Sequence, residues 1–133
     1  MKTLIVEDEF ASRKVMLKFL SSLSECDVAI NGIEALEAFK TAHEVKEPYD
    51  LVLLDIMMPG IDGQEVLKKM RAYEGDKGIN GSDAAKVVMT TALKDNTNIM
   101  EAFRSQCEGY LVKPIKREKL LEKIKELGFD IGD

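Results

Sequence analysis

Three short segments hold the residues with chemistry to offer. Leu4-Ile5-Val6 runs into Glu7-Asp8, Leu51-Val52-Leu53-Leu54 into Asp55, and Tyr110-Leu111-Val112 into Lys113-Pro114. Each is an apolar run of strand length that ends in charge. A parallel sheet places such charges at its carboxyl edge, where open α/β folds build their sites. Carboxylates gathered there repel one another unless a cation joins them. A hard divalent ion such as Mg²⁺ takes oxygen ligands of this kind, from one or two carboxylates together with phosphate and water oxygens. Lys113 then meets a phosphate and not the metal, and the combination points to phosphoryl chemistry on Asp55.

These residues need elements to carry them to one edge. Lys2 to Val6 reads as a first strand, and the spacing of Val15, Met16, Phe19, Leu20 and Leu23 gives one helical face over 9–23. A second, short strand spans Asp27 to Ile30. Asn31 and Glu34 form a capping box that opens a helix with Leu36 and Phe39 turned inward and an end before Pro48. Asp50 to Leu54 is the most apolar strand and therefore central. Asp62 and Glu65 repeat the box ahead of a helix whose buried stripe is Val66, Leu67 and Met70. Gly75 to Asp83 lacks an apolar period and reads as a mobile surface loop.

A fourth strand over Ala85 to Thr90 leads to a helix over Asp95 to Ser105 with Ile99, Met100 and Phe103. A fifth, Gly109 to Val112, leads to a helix carrying Leu120, Leu121, Ile124 and Leu127. Alternation of five strands and five helices predicts a doubly wound α/β fold, a five-stranded parallel sheet covered on both faces. The flavodoxin-like order 2-1-3-4-5 sets the switch point between strands 1 and 3, where Glu7, Asp8 and Asp55 meet. It also puts Cys26 and Cys107 across the sheet from each other, out of reach of a disulfide.

The bulk numbers narrow the class. A chain of 133 residues fits one domain, read as 1–128 with a short frayed tail over 129–133 and no room for a separate output domain. Net charge is −5, with Lys and Arg scattered, so the footprint of a nucleic-acid binder is missing and a protein partner is expected. No apolar run approaches the length of a membrane span, and the start lacks the pattern of a signal peptide, which together predict a cytoplasmic protein. The two cysteines lack the paired spacing of a zinc site. The one histidine, His43, is expected on the surface, neither ligand nor phospho-carrier.

Glu7-Asp8, Asp55, Thr91-Ala92 and Lys113-Pro114, in that order at the ends of four predicted strands, resemble the signature of the receiver domain of two-component response regulators. Pro59, Gly63 and Gly109-Tyr110 agree with it, and the closest likeness is to stand-alone receivers of the chemotaxis-regulator type. The resemblance implies that Asp55 is the phosphoacceptor, charged by a sensor histidine kinase or a phosphotransfer protein. It implies Mg²⁺ held by Asp8, Asp55 and the backbone carbonyl of Met57, with Glu7 acting through a metal-bound water. Lys113, the Thr91 hydroxyl and the Ala92 N–H would bind phosphoryl oxygens, and Lys113-Pro114 would be a cis bond. Thr91 and Tyr110 would switch the face formed by the fourth helix, the fifth strand and the fifth helix toward an unknown downstream protein.

Such a chain catalyses only its own phosphoryl transfer and slow self-dephosphorylation, as a monomer or a phosphorylation-dependent dimer. The resemblance also places Met57 and Leu93, two residues past Asp55 and Thr91, around the phosphoryl group; both are apolar and cannot orient a hydrolytic water, so the phosphorylated state is expected to last. Two rivals share parts of the pattern. A metal-dependent phosphatase with an aspartyl-phosphate intermediate resembles the strand ending in Asp55 but carries a second acid where this chain has Met57. A flavodoxin-like binding module needs a Gly-, Ser- or Thr-rich phosphate cradle after the first strand. Glu7-Asp8-Glu9 would repel that phosphate.

Overall fold

The computed structural model describes residues 1–92 and 96–131. Strands β1 (Lys2–Val6), β2 (Glu25–Ala29), β3 (Leu51–Asp55), β4 (Lys86–Thr91) and β5 (Gly109–Val112) alternate with helices α1 (Phe10–Leu20), α2 (Gly32–Glu44), α3 (Gly63–Asp76), α4 (Asn96–Arg104) and α5 (Arg117–Glu126). The strands form one sheet in the order β2-β1-β3-β4-β5, every pairing parallel, as the sequence predicts.

Alternation along each strand sorts the core into two layers. Leu4, Val6, Val52, Leu54, Val87 and Met89 point to the side covered by α2, α3 and α4, against Phe39, Val66, Leu67, Met70 and Ala102. Ile5, Leu51, Leu53, Val88 and Leu111 point to the side covered by α1 and α5, against Met16, Leu20, Leu120 and Ile124. β3 is buried at all five positions, as a central parallel strand must be.

Both predicted caps form. The Asn31 side chain accepts from the Glu34 N–H and the Asp62 side chain from the Glu65 N–H, at 2.8 and 3.0 Å. Glu34 reaches back to the N–H of Ile30, one residue ahead of the cap, at 3.1 Å. The second box sets the start of α3 against the sheet. A Cβ on Gly63 would fall 2.1 Å from the Asp55 carbonyl oxygen, so only glycine lets the helix begin this close to the end of β3.

Several expectations are corrected. α3 runs on to Asp76, into the segment read as loop, because Glu74 is buried there and accepts from the Ala85 N–H at 2.8 Å. Arg71 on the same helix donates to the carbonyls of Ala85 and Gln106 and to Glu74 and Glu108, tying α3 to the segments that lead into β4 and β5. His43 is only partly exposed. It sits edge-on to Phe39 and beside Tyr73, with its buried Nε2 lacking a partner among the described residues. α1 ends at Leu20, leaving Leu23 in the turn beyond, and Val15 faces outward. The segment after α5 is not frayed at its start, since Phe129 and Ile131 pack on the α1/α5 core layer. Cys26 and Cys107 are free thiols, as expected.

Candidate functional site

The ends of β1, β3 and β5 bring Glu7, Asp8, Asp55 and Lys113 together. The three carboxylates each present an oxygen within 4.8 Å of the others. Glu7 is 0% exposed and Asp55 3%, while Asp8 is open to solvent. Glu7, Asp55 and Lys113 lie on the α1/α5 side of the sheet, continuing the alternation of Ile5, Leu53 and Leu111. The ammonium of Lys113 contacts Glu7 Oε1 and lies 3.2 Å from Asp55 Oδ2.

Backbone amides hold the remaining oxygens. Met57 N–H donates to Asp55 Oδ1 and Glu9 N–H to Glu7 Oε2, each at 3.2 Å. The Asp55 carboxyl is raised to about 7, first by burial and then by the hydrogen bond and charge of Glu7, with Lys113 opposing. Lys113 itself is raised: burial lowers it, but its contacts with Glu7 and Asp55 prevail. Two carboxylates and an ammonium thus share one poorly solvated space, the setting in which an incoming cation or phosphoryl group has most effect.

Thr91 closes β4. Its carbonyl accepts from the Lys113 N–H at 2.7 Å, and the strand register sets Thr90 opposite Asp55 and Thr91 opposite Val112, one step nearer the sheet edge. Thr91 is buried and Ala92, just beyond, is exposed. Met57 stands at the rim, 57% exposed. The Lys113–Pro114 bond is cis. Tyr110 is 38% exposed on β5, edge-to-face with Phe103 of α4. Leu93 lies outside the described residues.

One residue near the site escaped sequence reasoning. Arg13, on the first turn of α1, donates from Nη1 to the carbonyls of Glu7 and Asp8, both at 3.1 Å, and so fixes the backbone that aims the acidic pair. The available signal was a cation one helical turn past two adjacent acids. It was faint, because bonds to carbonyls leave no trace in side-chain spacing.

Comparisons with known proteins identify the family. The response regulator receiver domain model matches residues 3–125. The chain belongs to the response regulator receiver family. This receiver is 32% identical over 127 residues to the transcriptional regulatory protein ResD of Bacillus subtilis, covering 95% of the chain and 47% of the relative. It is 32% identical over 126 residues to the chemotaxis protein CheY of Listeria monocytogenes, covering 95% of the chain and 97% of the relative. Among solved structures it resembles the receiver domain of the Saccharomyces cerevisiae response regulator Ssk1, in co-crystal with the histidine phosphotransfer protein Ypd1, at 28% identity and a TM-score of 0.84 over 96% of this chain and 88% of that one. The chain therefore spans about half the length of a relative such as ResD and nearly all of a stand-alone CheY. Receivers are phosphoryl-accepting switches of two-component signalling and not enzymes in the ordinary sense, and the family typically binds Mg²⁺ at an acidic pocket. The flavodoxin-like order and the recognition made on four strand-end motifs both hold.

Proposed function

We propose that this receiver is a phosphorylation-dependent signalling switch whose acceptor is Asp55. The observation that carries the proposal is the placement of the Asp55 carboxylate at the end of the most buried strand, between an acidic pair and Lys113. An Asp55 oxygen attacks the phosphorus of a phosphohistidine, the P–N bond breaks, and its electron pair returns to the imidazole of the donor. Lys113 moves with the developing charge from the carboxylate to a phosphoryl oxygen, and the Thr91 hydroxyl and Ala92 N–H offer further donors.

The donor set suits Mg²⁺: three carboxylates with oxygens mutually within 4.8 Å, no soft ligand among them, and one acid open to solvent as an entry point. Asp8, Asp55 and the Met57 carbonyl would hold the ion, with Glu7 behind a bound water. When bound, the ion supplies charge neutralisation for the group in transfer. The phosphoryl source is a sensor histidine kinase or a phosphotransfer protein, a reading supported by the likeness to a receiver co-crystallised with one. Output runs through the α4-β5-α5 face, where Met100, Phe103 and Tyr110 expose apolar surface suited to a protein partner. No described helix is long and apolar enough to cross a membrane, and a cytoplasmic switch, monomeric or dimerising on phosphorylation, fits the signalling role. Residues 1–128 act as one unit.

Incubation with a small phosphodonor, followed by intact mass, tests the proposal. One phosphoryl adduct is expected with Mg²⁺ and none with excess chelator; equal labelling under both conditions would rule out a metal-assisted acceptor.

A further inference from the structure

Thr90 carries a hydroxyl for which the resting protein has no use. The residue is 0% exposed, and its Oγ1 is buried without a hydrogen-bond partner among the described residues. A buried hydroxyl in that state has lost its water and gained nothing in exchange, whereas valine has the same shape and no such penalty. Its position shows what the hydroxyl is near. The parallel register sets Thr90 beside Asp55, about 4.8 Å away at the ordinary interval between strands. Val88 and Leu53, two residues earlier on the two strands, both belong to the α1/α5 core layer. By alternation the Thr90 side chain and the Asp55 carboxylate share that face, and a turn about the Thr90 Cα–Cβ bond swings the hydroxyl toward the carboxylate.

Both Asp55 oxygens have other donors at rest. Met57 N–H donates to Oδ1, and the Lys113 ammonium lies 3.2 Å from Oδ2. In the switch proposed above the second donor leaves for the phosphoryl group. A carboxylate held by one donor turns about its Cβ–Cγ bond, and transfer needs a lone pair kept on the line to phosphorus. We propose that Thr90 is a positioning residue: its hydroxyl donates to the Asp55 oxygen that does not attack, and so fixes the acceptor during transfer. That bond is made only during transfer, which is why the hydroxyl is unpaired at rest. Ile56 N–H donates to the Thr90 carbonyl at 2.9 Å and keeps the two strand ends from sliding apart. The inference rests on Asp55 being the phosphoacceptor and adds one group to that site. Thr91, the next residue, has a different part, since its hydroxyl is offered to the phosphoryl oxygens.

The test pairs Thr90→Val, which keeps the shape and removes the hydroxyl, with Thr90→Ser, which keeps the hydroxyl. Acetyl phosphate is the donor. The bond from an Asp55 oxygen to phosphorus forms, the bond from phosphorus to the acetyl oxygen breaks, and acetate leaves with the electron pair. At saturating Mg²⁺, Thr90→Val should form the adduct about three- to tenfold more slowly than wild type, and Thr90→Ser within about twofold of it. Two further readouts separate positioning from packing. The urea midpoint of unphosphorylated Thr90→Val should equal or exceed that of wild type, because no bond is lost at rest. Its Kd for Mg²⁺, by calorimetry, should stay within about twofold of the wild-type value. An unchanged rate in Thr90→Val, a rate in Thr90→Ser as slow as in Thr90→Val, a lowered urea midpoint, or a loss of Mg²⁺ affinity in Thr90→Val would overturn the role. Any of those results alongside a normal Mg²⁺-dependent adduct in wild type removes Thr90 alone; no adduct in wild type removes the acceptor on which the inference rests.

Discussion

Asp55 is the residue with most to gain from losing its charge. Its carboxyl lies near 7 in the folded protein, raised first by burial and then by Glu7. A raised carboxyl favours the protonated fold, so the stabilisation is complete below the ordinary value of 3.8 and is lost as pH rises through about 7. Asp55→Asn should therefore be more stable than wild type at pH 8, by on the order of 2 kcal/mol, and nearly equal to it at pH 4. Urea midpoints at the two pH values check this, and an equal gap at both would sink it. Lys113 behaves oppositely. Its contacts with the buried Glu7 and Asp55 give it a structural part as well, and Lys113→Ala should cost roughly 3 kcal/mol in the apo protein by leaving buried carboxylates unpaired. Met57, exposed at the rim, is proposed to lengthen the phosphorylated state by holding no water. Met57→Asn should speed loss of phosphate by up to roughly tenfold, about 1 kcal/mol in the barrier; an unchanged decay would remove Met57 from that role.

At the scale of elements, what the sequence disclosed and what it withheld separate by range. Caps and strand ends are local, and the boxes at Asn31 and Asp62, the runs ending at Glu7 and Asp55, and the Lys113–Pro114 turn were all legible. Contacts between distant segments were not. Arg71 binds the Gln106 carbonyl 35 residues away, and nothing in the spacing of α3 announces it. Periodicity gives a face but not what covers it, which is why Val15 and Met100 keep helical spacing and still face solvent. His43 was misplaced for the same reason, since its neighbour Tyr73 comes from α3. Burial lowers the His43 imidazole, with Glu74 opposing. A lowered histidine favours the neutral fold, so the packing of α2 on α3 weakens as pH falls below the ordinary value near 6.5. His43→Phe should lose less stability than wild type between pH 7.5 and pH 5. Parallel melting curves over that interval would show the histidine irrelevant.

The whole molecule is a five-stranded sheet with a core layer on each face, and it gathers three carboxylates at one sheet edge. That charge is an unfavourable feature of the empty protein and a reason for it to accept cations. Mg²⁺ should stabilise the fold by mass action, by about 2.7 kcal/mol at a hundredfold excess over Kd, and so raise the melting temperature, far less in Asp8→Ala than in Glu7→Ala if Asp8 holds the ion directly. In the proposed switch the same edge would order the chemistry: acids to gather the metal, one carboxylate to take the phosphoryl group, and one lysine to follow it. The most direct test of that assignment is to phosphorylate the protein with a small donor and Mg²⁺, cleave it, and locate the acid-stable, base-labile adduct by peptide mass. The adduct should lie on the peptide containing Asp55 and vanish in Asp55→Asn; an adduct on any other residue, or undiminished labelling of that variant, would contradict the account.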